Sequence, residues 1–221
     1  AKDLLDLDAE ASDRHLSQWL DQGCDIPAIY AQLQRLSGAR RLVDKSPTYG
    51  FSRSTLERAE ALFDQAHYIH LVRHPHAVID SFVSNRMDKL FQVPDQDPYR
   101  LAERVWQLSY QKFRDFLTGV EGDRSHTIRY EDLVQNPQAV MAALCTFLNL
   151  PFHPALVDPY SHAEQRMTDG VTAQSLPIDD PNFHRRRAID PSLADAWKTI
   201  QLPQPLKTES QLLAKIWDYT V

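Results

Sequence analysis

Tyr68-Ile69-His70-Leu71-Val72-Arg73-His74-Pro75-His76-Ala77-Val78-Ile79-Asp80-Ser81 is the stretch from which the rest of the chain is read. Its first five residues form a short apolar run of strand type. Pro75 suits the first turn of a following helix, where a missing N–H costs no hydrogen bond, and Val78, Ile79, Phe82 and Val83 continue at helical spacing. Arg73 stands between the two elements. An arginine at a strand end, just ahead of a helix N-terminus, sets a planar fork of donors beside the positive end of a helix dipole, which suits a phosphate. Ser81, two turns into the helix, adds a hydroxyl donor if the phosphate lies along the helix flank. A surface arginine and a solvent-facing serine fit these residues alone equally well.

Working outward, Arg41-Leu42-Val43-Asp44 reads as a second short strand and Thr127-Ile128-Arg129-Tyr130 as a third. Helices are expected with Ser12 as cap and Leu16, Trp19 and Leu20 on one face, then over residues 27–36, 52–63 and 99–117. Another runs over 137–148 with Asn136 as cap, and short ones lie near 192–197 and 209–219. Strands alternating with helices imply an α/β fold with a parallel sheet covered on both faces. Such sheets bind ligands beyond the carboxyl ends of their strands. All three strands end in residues able to hold an anion: Asp44-Lys45-Ser46, Arg73-His74 and Tyr130-Glu131-Asp132. One shared site follows. Residues 151–191, rich in Pro, Asp and His, read as a long loop of the kind usually tied to function.

The 221 residues suit one compact domain, with 43% hydrophobic and 24% charged residues, as in ordinary soluble proteins. A net charge of −6 argues against a nucleic-acid or anionic-membrane binder, which needs a basic field. Two cysteines, Cys24 and Cys145, are too few for a disulfide framework and lack metal-ligand spacing; both are expected to fill apolar space. No apolar run reaches the roughly 18 residues of a membrane span, and no secretory pattern opens the chain, so a cytoplasmic location is expected. The chain opens on Ala1 rather than Met and is expected to be part of something longer.

Val72-Arg73-His74-Pro75 through Ser81 is similar to the Arg-x-Pro-x-x-x-x-x-Ser signature of the sulfotransferase family. The resemblance implies that Arg73 and Ser81 hold the 3′-phosphate of the donor, 3′-phosphoadenosine 5′-phosphosulfate. Three further segments follow in the family's order. Val43-Asp44-Lys45-Ser46-Pro47-Thr48-Tyr49 looks like the Lys-Ser/Thr-Pro segment beside the transferred group, which implies that Lys45 stabilises negative charge on the leaving phosphate oxygen. Ile128-Arg129-Tyr130-Glu131-Asp132-Leu133 resembles the segment whose tyrosine approaches the adenine, a role that falls to Tyr130. Leu144 to Tyr160 resembles the helix and exit that come next. The likeness covers roughly residues 41 to 200, and four matches in order are specific where each alone is not.

The resemblance implies a P-loop-like sulfotransferase fold, no metal, and a single, partial domain over residues 1–221 with residues 151–191 as an acceptor-side flap. The basic cluster Arg185-Arg186-Arg187 resembles the loop that returns over the 3′-phosphate, with Arg185 and Arg187 as candidate contacts, although the family's glycines are lacking. No Gly-rich phosphosulfate loop precedes Lys45. The family's first strand and that loop are expected upstream of Ala1, so that this chain alone grips the 3′-phosphate end and does not transfer sulfate. Position 47, where some members carry a histidine, is proline, and the general base is not placed. Glu131 and Asp132 read as acids favoured at a helix start.

Arg166-Met167-Thr168-Asp169-Gly170 and Asp180-Pro181-Asn182-Phe183 look like the sulfotransferase domains embedded in modular polyketide synthases of the olefin-forming type. That resemblance implies an acyl carrier protein and neighbouring synthase domains as partners. The acceptor is then a tethered β-hydroxyl, activated for decarboxylative elimination to a terminal alkene. A free-standing sulfotransferase for a small alcohol or carbohydrate, and an inactive nucleotide-binding or structural domain, are the alternatives.

Overall fold

The computed structural model describes residues 9–91, 97–161 and 186–221. They belong to two compact units, one of residues 1–46 and 159–188, the other of residues 47–158 and 189–221.

In the first unit, α1 (Ala9–Asp21) and α2 (Ile26–Ser37) are joined by a short turn. Ser12 lies inside α1, three residues after Ala9, rather than capping it. Asp25 caps α2 by accepting the Ala28 N–H at 2.9 Å, and Pro27 sits in the first turn as expected. Residues 41–46 do not form the expected strand. Leu42 is exposed and Val43 is 79% exposed, and no described strand pairs with them, so neither burial nor a hydrogen-bond ladder holds an extended segment there.

The second unit holds α3 (Arg53–Leu62), β1 (Tyr68–Val72), α4 (Pro75–Ser84), α5 (Pro98–Leu117), β2 (Ser125–Arg129), α6 (Tyr130–Gln135), α7 (Pro137–Phe147) and α8 (Thr208–Lys215). Ser52 caps α3, its hydroxyl accepting the Thr55 N–H. Asn136 stands at the cap of α7 but its side chain makes no capping bond; Pro137, with no N–H to satisfy, starts the helix instead. The 192–197 segment forms short 3-10 turns, Pro191–Ala194 and Ala196–Thr199. β1 and β2 pair in parallel, Tyr68 opposite Ser125 through Val72 opposite Arg129. A parallel pair needs a long crossover, and α4 and α5 supply it.

Strand alternation sorts β1. Among the described residues His70 and Val72 are buried, whereas Ile69 and Leu71 on the other face of β1 are exposed. Three apolar clusters hold the buried side: Leu56, Phe116 and Val120; Ile79, Ala102 and Leu206; Trp106, Leu213, Ala214 and Tyr219. α5 contributes to all three, which makes it the spine of this unit. Each fully buried side chain of this size stabilises the fold by about 1.5–3 kcal/mol.

Polar ties fix the strand starts. Arg124, just before β2, donates to Glu60 of α3 and to the Ala66 carbonyl, and Tyr68 donates to the same carboxylate at 2.6 Å. The Arg124 hydrogen bond holds the Glu60 carboxyl below its ordinary value. Cys145 is buried and Cys24 half-buried, both as free thiols. Among the described residues no helix is long and apolar enough to cross a membrane.

Candidate functional site

At the carboxyl ends of β1 and β2 the two strands release their chains into helices, and the side chains there converge. Arg73, the first residue after β1, lies with its guanidinium carbon 4.3 Å from the centre of the Tyr130 ring, which opens α6 directly after β2. Stacking of this kind suits a flat, weakly hydrated guanidinium and leaves its edge free to donate. The Arg73 Nε is buried and has no hydrogen-bond partner. A buried donor left unpaired costs the fold on the order of 1–3 kcal/mol, and an anion that accepts from it recovers that cost.

The backbone beside Arg73 is already engaged. Its own N–H donates to the Tyr110 hydroxyl of α5 at 3.1 Å, and the His74 N–H donates to Oε1 of Glu131 at 2.9 Å. Pro75 has no N–H, and the His76 N–H donates to Nδ1 of His74 at 3.2 Å. The helix N-terminus that the sequence suggested as a phosphate cradle therefore has several donors committed to protein partners. The guanidinium is the group placed to meet an anion.

Burial pulls His74 down to about 4 and His70 likewise to about 4, so both rings are neutral near pH 7. Since His74 Nδ1 accepts, the proton sits on Nε2 and is given to the Thr220 carbonyl at 2.9 Å. The ring also stacks on Trp197, 3.9 Å between centres. His70 packs against Tyr110, Phe113 and Trp217. Both rings are packed against aromatic neighbours. Desolvation likewise raises the Tyr110 phenol to about 12, keeping it neutral and able to accept from Arg73.

Arg73 and Tyr130 are thus brought together. Ser81 is half-buried on α4, about 9 Å of helix rise beyond Pro75. The Asn85 amide donates to its hydroxyl at 3.2 Å and to its carbonyl at 2.7 Å, and no described contact joins Ser81 to Arg73 or Tyr130. Lys45 belongs to the first unit, exposed in an irregular stretch. Its neighbour Asp44 accepts from the Tyr30 hydroxyl at 2.9 Å and from the Ser46 hydroxyl at 2.8 Å, so that carboxylate is held by hydroxyls. Arg187 also belongs to the first unit and is exposed, while Arg185 and most of the expected 151–191 flap lie outside the described residues. Among the described residues no group of three or more His, Cys, Asp or Glu is placed to hold a metal ion.

A model of the sulfotransferase family matches residues 5–154, more than half of the chain. The chain belongs to the sulfotransferase family. Among solved structures it superimposes on the sulfotransferase domain from the curacin biosynthetic pathway with a TM-score of 0.93 at 50% identity, covering 100% of this chain and 77% of that one. The sulfotransferase domain from the Synechococcus PCC 7002 olefin synthase follows at 0.88 and 43%, covering 100% and 74%. The sequence likeness to synthase-embedded sulfotransferase domains is thereby borne out, as is the α/β class. Nodulation protein NoeE of Sinorhizobium fredii (strain NBRC 101917 / NGR234) is 26% identical over 84% of this chain and 45% of its own length. Protein-tyrosine sulfotransferase A of Caenorhabditis elegans is 27% identical over 62% of this chain and 34% of its own. The chain thus spans less than half the length of these two relatives.

Sequence reading missed Tyr110, Trp197 and Tyr219 as neighbours of Arg73, His74 and Glu131 at the strand ends. Glu131 is read at its strand end and as a helix-start acid, whereas the three aromatics reach the strand ends through tertiary packing that leaves no local pattern.

Proposed function

We propose that this chain is the 3′-phosphate-binding part of a sulfotransferase that uses 3′-phosphoadenosine 5′-phosphosulfate. The observation that carries the reading is the buried, unpartnered Nε of Arg73 beside the Tyr130 ring. An orphaned cationic donor next to an aromatic face fits a nucleotide phosphate with its base close by. Ser81 supplies a hydroxyl donor along the helix flank, and Arg185 and Arg187 of the basic cluster add positive charge.

In the reaction the acceptor oxygen attacks sulfur as the sulfur–oxygen bond to the 5′-phosphate breaks. The products are a sulfate monoester and 3′-phosphoadenosine 5′-phosphate, and the acceptor proton leaves to a base. Lys45 sets an ammonium against the charge that grows on the leaving phosphate oxygen, a contact stronger in the transition state than in the ground state. No metal takes part.

The acceptor in this reading is the β-hydroxyl of an acyl chain on an acyl carrier protein, within a synthase whose neighbouring domains supply and consume it. The likeness to the curacin-pathway and olefin-synthase domains supports it. Loss of the sulfate and of carbon dioxide then yields a terminal alkene. Free thiols at Cys24 and Cys145 suit a reducing compartment, and the cytoplasm is the proposed location. The test is incubation of the natural polypeptide containing this chain with donor and a β-hydroxyacyl carrier protein, followed by intact-mass measurement. A gain of one sulfuryl group on the carrier-bound chain is expected; transfer only to free alcohols or sugars would overturn the acceptor assignment.

A further inference from the structure

Two successive amides at the end of β1 are held from outside the strand, Arg73 N–H by Tyr110 of α5 and His74 N–H by Glu131 of α6. Glu131 is buried, and its second oxygen accepts the Tyr219 hydroxyl at 2.7 Å. One carboxylate therefore joins the β1–α4 turn to the last residues of the chain. The next residue, Thr220, accepts from the fully buried His74 ring, which closes the loop a second time. Arg129 at the end of β2 lies with its guanidinium carbon 4.8 Å from the Tyr219 ring centre, so the same tyrosine also lines the neighbouring strand end. The hydrogen bond to this carboxylate and burial together keep Tyr219 protonated well above the ordinary phenol range, burial being the larger cause.

The groups bonded to Glu131 are thus the Tyr219 hydroxyl and the His74 amide, while Arg129 lies over the Tyr219 ring and Tyr110 holds the neighbouring Arg73 amide. A carboxyl group accepting from a phenol and from an amide fixes the turn from which the Arg73 side chain projects. Nothing in this arrangement reaches the anion directly. Its effect is geometric: it sets where the guanidinium points before any ligand arrives, and pre-organised donors bind more tightly than mobile ones.

We propose that Glu131 and Tyr219 are positioning residues for the Arg73 clamp, acting as a clasp between the carboxyl end of β1 and the C-terminal segment. The clasp selects for a phosphate on the nucleotide's 3′ side. The proposal rests on the reading of Arg73 as that phosphate's partner. In its simplest form, removing one hydroxyl at the end of the chain weakens recognition of a phosphate that the hydroxyl never touches.

The experiment is calorimetric titration of the full chain with 3′-phosphoadenosine 5′-phosphate and with adenosine 5′-phosphate, for wild type, Tyr219→Phe, Glu131→Gln and Arg73→Ala. Tyr219→Phe keeps the ring under Arg129 and removes the hydroxyl that meets Glu131 and Arg129; Glu131→Gln keeps the shape of the side chain. The expected result is a preference for the 3′-phosphorylated nucleotide that falls about tenfold in Tyr219→Phe and in Glu131→Gln, with adenosine 5′-phosphate bound as by wild type. Equal losses for both nucleotides would show a merely structural part for the clasp and overturn the proposal. Full preference in both variants, with loss in Arg73→Ala, would overturn it while leaving the clamp standing. Preference that survives Arg73→Ala, or is absent from wild type, would overturn the clamp and the clasp together.

Discussion

Arg73 and Lys45 are both cations of the proposed donor site, and their chemistry separates them. Arg73 needs a planar fork that can lie on Tyr130 and still donate from its edge, so Arg73→Lys restores charge without restoring the contact. Lys45 needs only a compact positive charge that meets the leaving oxygen. Lys45→Ala is expected to lower the rate of sulfuryl transfer by about a hundredfold or more, on the scale of losing one oxyanion donor, while nucleotide affinity changes far less. Single-turnover kinetics alongside nucleotide titration separates the two. An equal loss in binding and in rate would assign Lys45 to ground-state affinity instead. The buried histidines act on stability. His70 and His74 are each held down from 6.5 to about 4 by burial, so between those values the unfolded chain binds protons that the folded chain refuses. Their contribution is complete above about pH 6.5 and is lost as pH falls toward 4. Thermal midpoints measured across that window should fall with pH, and His70→Phe should flatten part of the slope; an unchanged slope would contradict the burial assigned to His70.

Among the elements, those carried by a strong local pattern were legible and those that depend on a neighbour were not. β1, α4 and α5 follow from apolar periodicity, and Pro75 marks a helix start through its own geometry. The segment 41–46 has only Leu42 and Val43 as an apolar pair, and without a paired partner among the described residues it forms no strand. Gly50 was equally invisible. It lies in the 3-10 turn Pro47–Phe51, where a Cβ would come within 2.9 Å of the Ser109 Cβ on α5, and Lys112 of the same helix donates to the Phe51 carbonyl at 2.7 Å. Gly50→Ala is expected to destabilise the fold by about 1–3 kcal/mol through overpacking, and Ser109→Gly in the same chain to recover part of it. Denaturant melts of the single and double variants check this. Additive losses would show that the two positions do not touch.

For the whole molecule, the order of the four segments carried the family, and the match over residues 5–154 agrees with it. The site was legible in part. Arg73 and Tyr130 stand at the ends of paired strands, so a reading of strand ends found them together. The bonds made by Tyr110, Glu131 and Tyr219 were out of reach, since they span 37, 57 and 88 residues of sequence and no short pattern records them. Those bonds bind the end of the chain to its middle, and they explain why the second unit gathers residues 47–158 with 189–221. The central claim is that the Arg73 guanidinium, whose Nε is buried without a partner, receives the donor's 3′-phosphate. Titration of the chain with 3′-phosphoadenosine 5′-phosphate, beside its Arg73→Ala variant, tests it most directly. The account predicts binding by wild type and a loss of about tenfold or more in the variant, with a thermal midpoint no lower once the orphaned donor is gone. Affinity that is the same in both chains would contradict it.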